Sequence, residues 1–141
     1  VPLHTADEHH AHAYPDEQTS EDNLFNFQAQ CIKELARTES CIIIGRCADF
    51  ILKDEPNVIK LFFYASREDC IRRTMAQNGG TEKDIIKKIE KRDKYRSDYY
   101  KYHTGRDWND ARNYDFCLNT SSTSYEKLVK VVKDYISICT R

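Results

Sequence analysis

The sequence predicts an α/β fold in which a parallel sheet is flanked by helices. Three short apolar runs, at residues 41–45, 58–65 and 114–118, are rich in β-branched and aromatic side chains. The first two runs indicate strands that are buried on both faces, as in a parallel sheet, and the last run indicates a third strand. Segments with helical periodicity separate the runs, and strands that alternate with helices favour parallel pairing through crossover connections.

Residues 1–19 are polar, contain two prolines and show neither helical nor strand periodicity. This composition predicts a flexible segment that precedes a domain over residues 20–141. Four of the five histidines lie in the segment, at positions 4, 9, 10 and 12. Mobile histidine-rich stretches usually bind metal only adventitiously, so we expect no metal site there.

The elements before the second strand are predicted from short-range signals. An apolar stripe indicates a helix over residues 21–36, with Thr19 or Ser20 as its N-cap. The first strand follows, and a short helix is expected to reach about Lys53. A turn at residues 54–57, which contains a proline, then leads into the second strand.

Three capping-box patterns open the later helices, each with a serine or threonine three residues before an acid. The first of these helices is predicted to end near Met75, and the second to reach Tyr99 or beyond. The last helix is amphipathic, with an apolar stripe at residues 128, 129, 132, 135 and 136. The capping pairs are Ser66 with Asp69, Thr81 with Asp84, and Thr123 with Glu126, and the isoleucines expected to face inward are Ile85, Ile86 and Ile89.

Composition and charge exclude several classes of protein. The chain has 22 basic and 23 acidic residues, and this balance argues against duplex nucleic acid as a partner, which needs a basic face. No apolar run approaches the length of a membrane span. The six cysteines include no C-x-x-C pair, which favours free, buried thiols in a reducing compartment. We therefore expect a cytoplasmic protein without a membrane partner.

The placement of arginines is the strongest chemical signal. Arg46 ends the first strand, and ligands of open α/β sheets bind beyond the carboxyl ends of the strands. Arginine holds phosphate bidentately and keeps its proton, so several arginines around one cleft suit a transferring phosphoryl group. The alternative is a solvated basic helix surface, interrupted by acids. The other arginines of the set are Arg72 and Arg73 on the helix after the second strand, and Arg92, Arg96 and Arg106 further along.

Several short segments, taken in order and spacing, resemble the cytidylate kinase-like family of the P-loop nucleoside monophosphate kinases. The strand and turn Ile-Ile-Ile-Gly-Arg-Cys-Ala-Asp at residues 42–49 is the first of them. The segment Lys-Arg-Asp-Lys-Tyr-Arg-Ser-Asp-Tyr-Tyr at residues 91–100 is another. The resemblance extends from about residue 23 to residue 136, and the remaining matching segments are residues 56–58, 66–73, 104–108 and 114–120.

The resemblance implies a kinase that transfers the γ-phosphate of ATP, with Mg²⁺, to a pyrimidine nucleotide such as CMP or dCMP. It implies a lid over about residues 78–112, in which Arg92 and Arg96 act in catalysis. Cys47 separates the Gly-Arg pair from the following acid, which leaves the acceptor base open. The substrate-binding residues that the resemblance implies are Arg46 and Asp49 for the acceptor nucleotide, Arg72 and Arg73 towards the phosphates, and Asp93 and Arg106.

The phosphate-binding loop of such kinases, G-x-x-x-x-G-K-[ST], does not occur in this sequence. In the fold that the resemblance implies, the strand before that loop lies between the first and second strands described above. We therefore expect these residues to be the C-terminal portion of a longer kinase, with no turnover on their own. A partner, such as a strand-swapped copy of the same protein, is the alternative source of the strand.

Two other functions remain open at this stage. The first is a catalytically inactive nucleotide-binding or interaction module of the same fold. The second is a single-stranded nucleic-acid binder that stacks bases on aromatic side chains beside basic residues. The candidate stacking residues are Tyr95, Tyr99, Tyr100, Tyr102 and Trp108.

Overall fold

A computed structural model describes the backbone of residues 17–140 and the side chains of residues 20–140. The four N-terminal histidines and most of the predicted flexible segment lie outside these residues. The chain divides into two compact units, Val1–Leu52 and Lys53–Arg141. The described elements of the first unit are helices α1 (Glu17–Thr38) and α2 (Ala48–Ile51). Those of the second unit are β1 (Leu61–Tyr64), α3 (Arg67–Asn78), α4 (Glu82–Thr104), a 3₁₀ turn (Ala111–Asn113), β2 (Phe116–Asn119) and α5 (Tyr125–Cys139).

Helix α1 begins earlier than predicted. Its first residue is Glu17, so the assignment of Thr19 or Ser20 as N-cap is wrong. The last three residues of the predicted flexible segment, 17–19, therefore belong to the helix. Glutamate and glutamine are good helix formers, and an acid near a helix N-terminus is favoured by the helix dipole. Helix α1 packs against α2, where Ile32 and Ile51 are among the buried residues.

The predicted first strand is not a strand in this structure. Residues 41–44 have no regular secondary structure and pair with no strand among the described residues. Ile42 and Ile44 are 92% and 89% exposed, so the prediction of burial on both faces is also wrong. A β-branched run favours extended backbone, but a strand forms only where a second strand takes up its hydrogen bonds.

The sheet has two parallel strands, so the fold is a mixed helix and sheet structure with a small sheet rather than the larger sheet that the sequence predicts. Leu61 of β1 pairs with Phe116 of β2, and the register ends at Tyr64 with Asn119. Strand β1 is shorter than predicted, and its last two residues are about half exposed. Among the described residues β1 pairs with β2 alone, so its other edge has no strand beside it.

The capping boxes of α3 and α4 are confirmed at their serine and threonine. Ser66 Oγ accepts a hydrogen bond from the Asp69 N–H at 3.2 Å, and Thr81 Oγ1 accepts from the Asp84 N–H at 3.3 Å. Helix α3 continues past the predicted end at Met75 and stops at Gly79, whose φ of +65° favours glycine. Helix α4 extends beyond Tyr99, as expected, to Thr104. Of its isoleucines, Ile85 is buried, whereas Ile86 and Ile89 are half-buried.

Helix α5 begins one residue later than predicted. Its N-cap is Ser124, which accepts from the Lys127 N–H, and not Thr123. A run of serines and threonines precedes the helix, and each of them can cap, so short-range sequence does not decide between neighbours. The predicted apolar stripe is only partly covered. Leu128 is buried, while Val129 remains 53% exposed.

All six cysteines are free, as predicted, but the prediction that they are buried is confirmed for Cys47 only. Cys47 is buried and Cys70 and Cys117 are half-buried, whereas the three thiols at positions 31, 41 and 139 are exposed. Cys31 lies on α1, Cys41 precedes the turn at Gly45, and Cys139 is the last residue of α5. Among residues 17–140, no helix combines the length and hydropathy that a membrane crossing requires.

Candidate functional site

Arg46 lies in an unusual turn of the first unit. Gly45, Arg46 and Cys47 have successive φ values of +71°, +56° and +57°, and the Ala48 N–H closes the turn on the Gly45 carbonyl at 3.1 Å. Left-handed backbone costs about 1–2 kcal/mol at a residue other than glycine, so surrounding contacts must hold it. Cys47 supplies such a contact because its side chain is buried beneath the turn.

The two candidate ligand-binding residues of this turn, Arg46 and Asp49, differ in their exposure and in their contacts. Arg46 is exposed and has no ion pair or hydrogen bond with the described residues. Asp49 is half-buried at the start of α2 and is engaged by neighbours. Burial, and secondarily the Asp49 charge, raises the pKa of the Cys47 thiol to about 11, so this cysteine stays a neutral packing residue. Arg46 is therefore free to meet an anion.

In the second unit, Arg72 and Arg73 lie near one carboxylate on α3. Arg72 donates from Nε and Nη2 to Asp69 Oδ1 at 3.2 and 2.7 Å, and its side chain is 71% exposed. Arg73 Nη2 lies 3.9 Å from Asp69 Oδ2. The hydrogen bonds from Arg72 and then from Ser121 lower the pKa of Asp69, so the carboxylate stays charged at neutral pH.

Arg73 is held more firmly than its neighbour. Its Nη1 donates to Thr120 Oγ1 at 3.1 Å and its Nη2 to the Thr120 carbonyl at 3.0 Å. The guanidinium carbon also lies 5.3 Å from the centre of the Tyr125 ring. These contacts place Arg73 at the carboxyl end of β2, the edge where ligands of parallel sheets bind.

The arginines of α4 differ in their freedom. Arg92 is exposed and has no hydrogen bond or ion pair with the part of the chain that the structure describes. Arg96 lies 3.5 Å from Asp93 and is half-exposed. Its guanidinium carbon lies 6.0 Å from the centre of the Trp108 ring, at the outer limit of a cation–π contact. Helix α4 therefore presents one unpaired guanidinium and one that is loosely held.

An aromatic cluster joins the predicted lid to the sheet. Trp108 meets Phe62 of β1 edge-on, with ring centres 5.6 Å apart, and Tyr114 stacks on Phe62 with ring centres 4.8 Å apart. The Tyr114 hydroxyl donates to the Trp108 carbonyl at 2.6 Å. Arg106, at the end of α4, is half-buried and is engaged by neighbours. The cluster thus holds Arg96 close to β1 through Trp108.

Each unit contains some of the predicted site residues: Arg46 and Asp49 lie in the first, and the arginines of α3 and α4 lie in the second. Arg72 and Arg73 share Asp69, and Arg96 pairs with Asp93, whereas Arg73 and Arg96 contact different residues. Sequence reasoning gave no role to Thr120 and Ser121. In the structure Thr120 accepts hydrogen bonds from Arg73, and Ser121 accepts one from the Ser66 N–H at the start of α3. The signal was available, since a run of small hydroxyl residues directly follows the apolar strand β2.

Two of the five candidate stacking residues are not available for bases. Tyr100 is only 3% exposed, and Trp108 is packed against Phe62. Tyr95 and Tyr102 are exposed, at 64% and 49%, but Tyr102 has His103 against its ring. An extended stacking platform of all five aromatic residues is therefore absent from the described part of the chain.

The family model described as the cytidylate kinase-like family matches residues 3–122. This chain belongs to the cytidylate kinase-like family. The family name places it, at that level, among kinase-like, nucleotide-binding proteins of the P-loop superfamily.

Comparison with solved structures extends this result. A crystal structure titled as that of an uncharacterized protein from Eubacterium ventriosum ATCC 27560 is 30% identical to this family member, with a TM-score of 0.79. The alignment covers 89% of this chain and 78% of that one. A comparison with curated proteins gave no match. The likeness to the solved structure supports the arrangement of elements described above, and its title assigns no activity.

The residues of this family member fit nucleotide phosphates better than a metal ion. Arg46 and Arg92 each offer an unpaired guanidinium, which can bind phosphate oxygens bidentately. By contrast, residues 17–140 contain no cluster of three or more metal-ligating side chains. A Mg²⁺ ion can take most of its ligands from phosphates and water, so we assign no residue to it.

Proposed function

We propose that this chain supplies acceptor and lid residues to a nucleoside monophosphate kinase-like phosphotransferase that has the P-loop fold. The reaction moves the γ-phosphate of ATP to a pyrimidine nucleotide such as CMP or dCMP. The observation that carries the proposal is the match of residues 3–122 to the cytidylate kinase-like family. The unpaired guanidinium groups of the chain support the same chemistry.

The proposed mechanism depends on arginine charge. A transferring phosphoryl group carries spread negative charge, and catalysis consists mainly of positioning it and neutralising that charge. Arg92 is unpaired and Arg96 gives up only a 3.5 Å contact with Asp93, so both can turn towards a phosphate at small cost. We assign acceptor binding to Arg46 and Asp49, and phosphate contacts to Arg72 and Arg106.

The donor site is the second part of the proposal. ATP would bring the phosphoryl group, and a Mg²⁺ ion bound with it would lower the charge that the arginines must offset. The exposed apolar run at residues 41–44 supports a further strand that pairs with it in the enzyme. The loop after that strand is the element we expect to hold the donor phosphates.

A coupled assay on the full-length protein tests the proposal. We expect ADP formation from ATP and Mg²⁺ with CMP or dCMP, and less with AMP or GMP. Arg92→Ala and Arg96→Ala are each expected to lower kcat about 10³-fold, because removing one charge-stabilising donor costs this much in phosphoryl transfer. Affinity for the acceptor should change little.

Lys130→Ala is the matched control for the loss of one positive charge. Lys130 lies on α5 and pairs with Asp134 at 2.6 Å, outside the proposed site. Its kcat should equal that of the unmodified protein. Nucleotide binding without any turnover would contradict the kinase function and indicate the catalytically inactive module instead. A pure loss of affinity in the α4 variants would make both arginines binding residues.

A further inference from the structure

The loop that follows β2 lies at the edge of the sheet where a ligand is expected. We call residues 120–124 the β2 loop. Ligands of open α/β sheets bind beyond the carboxyl ends of the strands. The β2 loop begins at that end of β2, so its position controls the shape of any site there.

The first residue of the β2 loop is tied to both α3 and β1. Thr120 receives two hydrogen bonds from Arg73, at 3.0 and 3.1 Å. The Thr120 N–H and Oγ1 also donate to the Tyr64 carbonyl, at 2.7 and 3.1 Å. The Arg73 guanidinium therefore closes a short chain of bonds that joins α3, the β2 loop and the last residue of β1.

The second residue of the loop is held from the start of α3. The Ser66 N–H donates to Ser121 Oγ at 2.9 Å. In a complete capping box this N–H would donate to the side chain of Asp69, so here the β2 loop replaces Asp69 as its acceptor. The Ser121 N–H in turn donates to Asn119 Oδ1 at 2.9 Å. Two independent ties thus immobilise the loop against one helix.

From this geometry we infer that Arg73 is a positioning residue that holds the β2 loop for nucleotide binding, and not a ligand of phosphate. A phosphate could take the Arg73 guanidinium only by competing with both bonds to Thr120 and with the Tyr125 ring. Arg72, 71% exposed on the same helix, is the arginine that can reach an anion. The nucleotide part of the inference rests on the proposed function, whereas the clamp itself does not.

Hydrogen exchange at the amides of Thr120 and Ser121 tests the clamp without any ligand. Arg73→Ala and Thr120→Val should each speed exchange by about tenfold or more, because Thr120→Val removes one hydrogen bond to the charged guanidinium and Arg73→Ala removes two. The double variant should speed exchange by less than the product of the two single effects, since both changes remove the bond from Arg73 Nη1 to Thr120 Oγ1. Thr120→Val alone also removes the bond from Thr120 Oγ1 to the Tyr64 carbonyl. Thr120→Ser keeps the hydroxyl and should restore slow exchange. Unchanged exchange in Arg73→Ala overturns the inference.

Calorimetric titration with CMP and with ATP separates the two roles of Arg73. If Arg73 positions the loop, Arg73→Lys binds nucleotide as weakly as Arg73→Ala, because lysine cannot make the paired bonds to Thr120. Thr120→Val then weakens binding by a similar factor and Thr120→Ser rescues it. If Arg73→Lys binds normally and Thr120→Val has no effect, Arg73 is a phosphate ligand and the inference is wrong. Absence of binding by the unmodified protein overturns the proposed function and leaves the clamp to be judged by exchange.

Discussion

Replacement of Trp108 by leucine is expected to loosen the predicted lid from the sheet. The indole meets Phe62 edge-on with ring centres 5.6 Å apart, and such a pair contributes about 0.5–1.5 kcal/mol beyond its buried area. The contact with Arg96 at 6.0 Å lies at the limit of a cation–π interaction and contributes about 0.5 kcal/mol at a half-exposed site. Together these contacts predict a loss of about 1–2 kcal/mol in the free energy of unfolding.

Urea denaturation measures this loss. For a slope of about 2 kcal/mol per molar urea, Trp108→Leu should lower the midpoint by about 0.5–1 M. Trp108→Phe, which keeps an aromatic ring near Phe62, is the matched control and should lose less. In a double-mutant cycle, Trp108→Leu and Arg96→Ala should show a coupling of about 0.5 kcal/mol. An unchanged midpoint in Trp108→Leu would refute the role of the indole, and zero coupling would remove its contact with Arg96.

Three further outcomes are expected. Asp110 has its pKa lowered to about 2 from 3.8, chiefly by the hydrogen bond from the Arg112 side chain, so its stabilising effect is present above pH 3.8 and is lost as the pH falls towards 2. Unfolding midpoints measured between pH 5 and pH 2 should therefore fall less in Asp110→Asn, and identical curves would contradict this linkage. Arg46→Ala should weaken binding of nucleoside monophosphate about tenfold or more in calorimetry without a change in melting temperature, because Arg46 is exposed and unpaired; unchanged titration would remove it from the site. Thr81→Ala should cost about 1 kcal/mol in urea denaturation, since it removes the cap on the Asp84 N–H, while Thr81→Ser should cost little.

Much of the helical structure was predictable because its signals are local. Ser66 and Thr81 cap their helices within four residues of chain, so the pattern of a hydroxyl before an acid was enough. The same logic failed at Thr123, where the neighbouring Ser124 could cap equally well and did so. Short-range sequence narrows such a boundary to a few residues and does not choose among equivalent donors.

Strands were less predictable because they depend on distant partners. The runs that became β1 and β2 lie more than fifty residues apart and pair in parallel, whereas the run at residues 41–44 found no strand beside it. All three are largely apolar, and each contains β-branched or aromatic side chains. The intrinsic preference of these residues for extended backbone made each run a candidate strand. Two of the runs paired because each found the edge of the other, and the third found no strand edge among the described residues.

The amino-acid sequence alone determined the family, the helix starts at Ser66 and Thr81 and the residue type suited to phosphate. Only the tertiary structure decided what each arginine bonds to: Arg73 donates to Thr120, which is 47 residues away, and Arg92 has no hydrogen bond or ion pair with the described residues. The physical reason is range. A cap joins groups that short-range backbone geometry already brings together, but a guanidinium on a long side chain takes its partner from whichever segment the packing of strands and helices places beside it.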